Sequence, residues 1–246
     1  MMSSKRICLA GIPIELCTLL PSLKNIEGYE TDAPPAFTVR TTKQDILSER
    51  RKSIAECAYE HIPYPNHSPA ELENTAVYRK IAEMLPDHDG FVFHGSAVAV
   101  GEKAFLFTAK SGTGKTTHTT LWLKNIKGSF VVNGDKPIIR LIDDKPFVCG
   151  TPWMGKENYG CNKNVPLSAI CFLNRGAENR IEKAEFGQVY PRLLGQTYRP
   201  ENGARMVKTI KLLEKIGRSV PIYELFCNME DEAAFVAFEG MTDDKI

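Results

Sequence analysis

The sequence predicts an α/β fold: a mixed-sheet P-loop domain over residues 86–246, preceded by a small α+β region over residues 1–85. Three observations predict it. Strand-like and helical runs alternate after residue 86, and several strands are joined by connections too short for anything but antiparallel pairing. A glycine-rich stretch, T-A-K-S-G-T-G-K-T-T-H-T-T at 108–120, lies between a strand-like run and a helical one. The first 85 residues lack this texture.

In the N-terminal region, Lys5–Leu16 and Ala36–Thr41 read as strands around a polar, proline-containing connection at Tyr29–Pro35. Lys43–Cys57 is charged and reads as a helix, after which H-I-P-Y-P-N-H-S-P interrupts regular structure. Over Pro69–Leu85 the apolar residues 72, 76, 77, 81, 84 and 85 form a helical stripe that Pro86 ends.

In the larger region, G-F-V-F-H-G-S-A-V-A-V (90–100) reads as a strand, G-E-K as a turn and A-F-L-F-T-A as its antiparallel partner. The glycine-rich loop and a helix over Lys115–Asn125 follow, then a strand at Phe130–Asn133. Pro137–Leu141 and Pro146–Cys149 form a hairpin with Asp143 and Asp144 at its turn. A polar loop leads to the apolar strand Pro166–Asn174. Helices near 186–195 and 203–217, a strand at Pro221–Cys227 and a helix over 230–239 complete the chain.

Composition narrows the function classes. A hydrophobic content of 43% and a charged content of 25% are those of an ordinary globular chain. A net charge of +1 argues against a broad polyanion-binding surface, so no nucleic-acid partner is expected. No run approaches the roughly 18 consecutive apolar residues of a membrane span, so no membrane partner is expected either. The N-terminal K-R-I-C-L-A-G-I-P-I-E-L is broken by Pro13 and Glu15 and is followed by no A-x-A site, so it reads as buried strand rather than a secretion signal. Seven scattered cysteines without a C-x-x-C pair read as reduced thiols in a cytoplasmic protein, with Cys8 and Cys171 as small core residues.

The loop carries the chemistry. Gly112 and Gly114 allow positive φ, which turns backbone N–H groups inward toward an anion. With Ser111, Thr113 and the start of the following helix, these donors suit the phosphates of a nucleotide. Lys115 would reach the β- and γ-phosphates, the Thr116 hydroxyl would ligate Mg²⁺, and Thr117 extends the same end of the helix. The pattern G-x-x-x-x-G-K-[ST] wants glycine where this chain has Ala109, a change that negative φ tolerates. Twenty residues after Lys115, Asp135 follows the apolar strand Phe130–Val132 and can meet a metal there. Upstream, F-H-G-S places His94 in an otherwise apolar run.

Together, H-G-S, a short hairpin, S-G-T-G-K-T and the later aspartate resemble the kinase domain of the bacterial HPr kinase/phosphorylases. In that family an H-G-[VA] strand precedes a G-x-S-G-x-G-K-[ST] loop and an aspartate pair. The nucleotide-binding core is shared with phosphoenolpyruvate carboxykinases, whose loop reads very like S-G-T-G-K-T-T. The resemblance covers about a third of the chain, roughly Phe91–Asn174. It implies that His94 stands beside the transferred phosphate and that Ser111–Thr116 form the phosphate loop. It implies that Asp135 acts on the attacking hydroxyl and lies near the metal. The first aspartate of the pair is replaced by Gly134, so phosphorylase activity is not expected. G-K-E-N-Y-G-C-N-K-N falls where the family has a mobile basic loop. Its G-R-N motif is unmatched, and Lys156 and Lys163 are substrate-loop candidates by charge and position alone. Residues 1–85 do not match the family's N-terminal domain, so HPr is not the expected substrate. The chain looks like the smaller members, some of which phosphorylate serines of peptides. Family members assemble as hexamers, which leaves a homo-oligomer open.

The expectation is therefore a kinase that uses ATP or GTP with Mg²⁺, with Asp135, His94 and Lys115 catalytic and a serine of a peptide or protein as acceptor. A small-molecule hydroxyl is the alternative acceptor. A non-catalytic nucleotide-binding regulatory module is the competing class, although such a module needs no base. A carboxykinase is excluded by size, and N-K-N-V at 162–165 is not the N-K-x-D of a small GTPase.

Overall fold

The computed structural model describes residues 3–110 and 112–242. It divides into two compact units, Met1–Met84 and Leu85–Ile246.

In the smaller unit, β1 (Ser3–Leu9) and β2 (Ile12–Thr18) pair antiparallel, and β3 (Phe37–Arg40) joins β2 in parallel. The run expected as one strand over Lys5–Leu16 is thus a hairpin. Its two-residue turn is Ala10–Gly11, both at positive φ (53° and 78°), the conformation that matches the twist of paired strands. Apolar Ile7, Leu9, Ile14 and Leu16 are fully buried, whereas Cys8 between them is only partly so. Two helices complete the unit, α1 (Lys43–Tyr59) and α2 (Pro69–Met84). Thr42 and Asp45 cap α1 reciprocally, and Ser68 and Glu71 do the same for α2. The predicted stripe of α2 is buried through Leu72, Ala76, Val77 and Ile81, and a 3₁₀ turn over Leu85–His88 contains Pro86.

One buried carboxylate organises this unit. Glu73 of α2 accepts from the backbone N–H groups of Leu19 (2.6 Å) and Leu20 (2.9 Å) and from the Thr41 hydroxyl. It thereby ties the ends of β2 and β3 to the helix.

The larger unit holds nine strands in one mixed sheet. They are β4 (Gly90–Val92), β5 (Ser96–Val100), β6 (Lys103–Thr108), β7 (Ser129–Asn133), β8 (Ile138–Ile142), β9 (Lys145–Cys149), β10 (Asn164–Arg175), β11 (Arg180–Lys183) and β12 (Ile222–Cys227). The strand expected over 90–100 is two strands, because residues 93–95 leave the ladder to bond elsewhere. Strand β11, four residues with three exposed, was not expected; it forms the edge beside β12. The hairpin β8–β9 turns at Asp143 and Asp144 as expected, both at positive φ.

Pairing direction positions the site. Strands β6, β10 and β12 are mutually parallel, while β5 runs antiparallel to both β6 and β7. The ends of β6, β7, β10 and β12 and the start of β5 therefore share one edge of the sheet, the place where α/β folds bind ligands. Side chains alternate between two cores. Leu106, Ile170 and Phe172 pack with α4 (Phe186–Gln196) and α5 (Gly203–Ser219). Phe105, Phe107, Cys171 and Leu173 pack with α3 (Lys115–Asn125) and α6 (Glu232–Met241) on the other face. Period-two burial on both faces is what a sheet covered by helices on each side requires. Among the described residues no helix is long and apolar enough to cross a membrane. All seven cysteines are free.

Replacing Glu73 by Ala would strand three donors in the smaller unit, two of them backbone. Loss of about 3 kcal/mol of stability is expected, read by urea denaturation, with Glu73→Gln costing less because one acceptor oxygen remains.

Candidate active site

The glycine-rich loop leaves β6 at Thr108, whose hydroxyl donates to the His94 carbonyl (3.0 Å). Ala109 is buried in the α3/α6 core and is not among the positive-φ residues, so a methyl group fits where the motif usually has glycine. Gly112 (φ 75°) and Gly114 (φ 120°) do adopt the left-handed region, and a Cβ at either would meet nothing within 4 Å. Backbone conformation, rather than space, reserves these positions for glycine. Thr113 bonds back to the Lys110 carbonyl through both its N–H (3.2 Å) and its hydroxyl (2.8 Å), closing the turn. Gly114 caps α3, with Lys115 its first residue and Thr116 and Thr117 exposed on its first turn. Ser111 lies outside the described residues.

Residues 93–95 run alongside 135–137. The N–H of Phe93 donates to the Pro137 carbonyl (3.1 Å) and that of Gly95 to the Asp135 carbonyl (3.0 Å). The intervening His94 N–H donates to the Gln196 carbonyl at the end of α4 (2.7 Å). This clamp brings His94 Nε2 to 3.5 Å from Asp135 Oδ1. Each residue of H-G-S has a distinct part. His94 faces Asp135. A Cβ on Gly95 would stand 2.8 Å from the Phe107 carbonyl oxygen, so only glycine allows this approach to the loop strand. The Ser96 hydroxyl shares a buried 2.6 Å hydrogen bond with that of Thr119 in α3.

The aspartate is held by an Asx turn. Asn133 Oδ1 accepts from the N–H groups of Asp135 (2.9 Å) and Lys136 (2.7 Å), while its amide nitrogen donates to Thr151. Burial alone would raise the pKa of the Asp135 carboxyl. The hydrogen bond from His94 and the charges of Lys136, His94 and Lys115 outweigh that, and the group lies below the ordinary carboxylate range. Lys115 is pushed down by burial and pulled back by Asp135. Loop lysine and strand-end carboxylate therefore sense each other directly.

A second carboxylate has no room. A Cβ on Gly134 would lie 2.9 Å from the Met154 carbonyl oxygen and 3.2 Å from that of Tyr159. The loop carrying these residues is fixed by bonds from the Gly134 N–H to the Tyr159 carbonyl (2.9 Å) and from the Cys161 N–H to the Val132 carbonyl (3.1 Å). Within this loop Gly155 lies against Asp135, and Lys156 next to it is exposed. Lys163 is not brought to the aspartate: its ammonium rests 4.5 Å above the centre of the Phe130 ring, in a separate hollow.

Among the described residues no three His, Cys, Asp or Glu side chains gather as a metal cage. The Asp135 carboxylate and the Thr116 hydroxyl are, in chemistry, oxygen donors of the kind that Mg²⁺ takes alongside waters and phosphate oxygens. On this criterion the residues fit the ion.

Several site residues escape motif reading. Arg175, at the end of β10, donates to the Gly112 carbonyl (2.7 Å) across the loop. With Lys110 and Arg192 it lines a hollow of about 730 Å³. Arg192 stacks on Phe172 (4.1 Å) and pairs with Glu224. The rule that ligands sit at the ends of parallel strands would have found Arg175 once β10 was paired with β6. In α3, His118 is 3% exposed, and its Nε2 accepts from Trp122 Nε1 (3.0 Å). The proton of the neutral ring therefore sits on Nδ1, which finds no partner among the described residues.

No protein-family model matches the chain, and no curated protein matches it. Among solved structures it is similar to the Hpr(Ser) kinase/phosphatase from Coxiella burnetii, with a TM-score of 0.29 and 10% identity over 52% of this chain and 92% of that one. A likeness at this level leaves the chemistry to be read from the site's own residues.

Burial pushes the His118 imidazole down to about 3, from 6.5 in an unfolded chain. A base depressed in the folded state is protonated first in the unfolded state. Stability is therefore complete above about pH 6.5 and falls as pH drops toward 3. Between pH 7.5 and 5 a loss of about 2 kcal/mol is expected from this group. Urea denaturation at both pH values should show it in the wild type. His118→Gln, which retains an acceptor for Trp122, should lack that share of the loss.

Proposed function

We propose that the chain is a Mg²⁺-dependent nucleoside-triphosphate phosphotransferase that moves the γ-phosphoryl group to a hydroxyl. The observation that carries this reading is the His94–Asp135 pair, clamped through the backbone beside the loop that bears Lys115. A loop that only holds nucleotide has no use for such a pair, whereas transfer to a hydroxyl needs an acceptor for its proton.

In the reaction the N–H groups of Gly112–Thr116 and the Lys115 ammonium hold the phosphates, and the partial burial of Lys115 strengthens its pull. Asp135 accepts a hydrogen bond from the incoming hydroxyl and aims its oxygen at the γ-phosphorus. The new P–O bond forms as the β–γ bridge breaks, the diphosphate leaves, and the hydroxyl proton passes to Asp135. A carboxylate with a lowered pKa is a weak base, so it positions the hydroxyl first and takes the proton late. That order suits a loose phosphoryl-transfer transition state. His94 orients the carboxylate through Oδ1. A Mg²⁺ ion held by Thr116, Asp135 and phosphate oxygens would neutralise charge on the triphosphate.

The acceptor we favour is a serine of a peptide or protein, with a small-molecule hydroxyl as the other class. Incubation with ATP and Mg²⁺ followed by mass spectrometry of candidate peptides and alcohols distinguishes them. Tight nucleotide binding with no phosphorylated product from either class would identify a binding module instead.

Lys115→Ala should weaken Mg·ATP binding by roughly tenfold or more in calorimetry, because a charge on the phosphates is lost. Asp135→Asn should bind nucleotide nearly normally and turn over about a hundredfold more slowly, since the amide keeps the shape but cannot take the proton. A folded Asp135→Asn protein with wild-type turnover would end this mechanism.

The crowding at Gly134 bears on the reverse direction. With one carboxylate at the site, attack by inorganic phosphate on a phosphorylated product has little assistance. Incubating such a product with excess phosphate should release almost no pyrophosphate, and a robust yield would show that a second acid is not needed.

A further inference from the structure

A cavity of about 470 Å³ opens on the other flank of the phosphate loop from His94 and Asp135. Its walls are the loop and first turns of α3 (Gly112–Gly114, Thr117, His118), Leu121 and Leu173, the end of β10 (Asn174–Gly176), and the last residue of β12 with the two that follow (Cys227–Met229). In the sheet, β5 and β7 lie on one side of the loop strand β6, and β10 and β12 lie on the other. His94 and Asp135 belong to the β5/β7 side. A triphosphate with its γ-group at Asp135 and its chain over the loop therefore emerges toward β10 and β12, where this cavity lies.

We propose that this cavity seats the nucleoside of the triphosphate, gripping a purine ring by its faces rather than by its edges. The seat rests on the phosphate-loop reading above. Its volume falls within the range of about 300–1,000 Å³ typical of small-ligand sites, and its mostly apolar walls suit a flat aromatic group. Leu121 and Leu173 form the buried wall. Met229 is 78% exposed, an unusual setting for a large apolar side chain, and a ring lying in the cavity would cover it. The two amide side chains of the lining are already engaged, and His118 Nδ1, though unpartnered among the described residues, is buried beneath the wall. Asn228 donates to the Ala177 carbonyl (3.3 Å) and accepts from the Glu230 N–H (3.0 Å). Asn174 donates to Glu224 (3.1 Å). Amides committed to the fold read base edges poorly, so adenine and guanine nucleotides are expected to bind within about fivefold of each other.

Cys227 provides an internal reporter, being half-buried in the cavity wall and free. Alkylation of the folded wild-type chain, followed by peptide mapping, should be slowed several-fold at Cys227 by Mg·ATP and by Mg·GTP. Mg·tripolyphosphate, which occupies the loop alone, should leave it unchanged. Calorimetry on Met229→Ala should show Mg·ATP weakened about fivefold to tenfold and Mg·tripolyphosphate unaffected. If ATP and tripolyphosphate both bind but protect Cys227 equally, or neither protects it, the nucleoside lies elsewhere and the seat is wrong while the loop stands. If neither ligand binds the wild type, the phosphate-loop reading itself fails, and the seat with it.

Discussion

The site depends on one close approach of backbone to backbone. Residues 93–95 leave the sheet and lie against both the Phe107 carbonyl and the stretch 135–137, and only a residue without a Cβ at 95 permits it. Everything chemical follows from that contact. It sets His94 opposite Asp135, puts the Thr108 hydroxyl on the His94 carbonyl, and brings β5 close enough for Ser96 to reach α3. The energy holding the pair together is thus mostly main-chain hydrogen bonding, with the 3.5 Å contact between the two side chains a consequence.

Much of this was legible in the sequence, for a physical reason. The glycine-rich loop, its helix and the positive φ of Gly112 and Gly114 are local features in which neighbours in sequence are neighbours in space. Asp135 could be anticipated because a strand end and a carboxylate are also local. Where the pattern failed, the deciding contact was distant. The run F-V-F-H-G-S looks like continuous strand, yet it is broken by bonds to residues some 40 and 100 positions away. Ala10–Gly11 sits in an apolar run that alternation alone cannot divide. Strand β11 is short and mostly exposed, so it exists by pairing with β12 and not by burial of its own. Arg175 stands at no motif, and only the order of strands in the sheet brings it to the loop.

The departure from the usual loop pattern has a plain explanation. Ala109 turns its methyl group into the core shared by α3 and α6, where Phe107, Trp122 and Phe238 also pack. A glycine there would remove apolar contact without gaining a conformation the loop needs. Gly134 shows the opposite case, a glycine required by crowding from a neighbouring loop. The two positions show that a motif letter can be fixed by packing as readily as by ligand contact.

The hydroxyl pair between Ser96 and Thr119 has a consequence for the helix as a whole. Packing of Leu121 and Trp122 against the sheet sets the azimuth of the helix, and a directional hydrogen bond narrows it further. Thr119 lies three residues beyond Thr116, nearly one turn on, so pinning one also sets the direction in which the other points. The first-turn hydroxyls of the helix therefore point in a direction set by the fold. The entropy of that orientation is lost during folding.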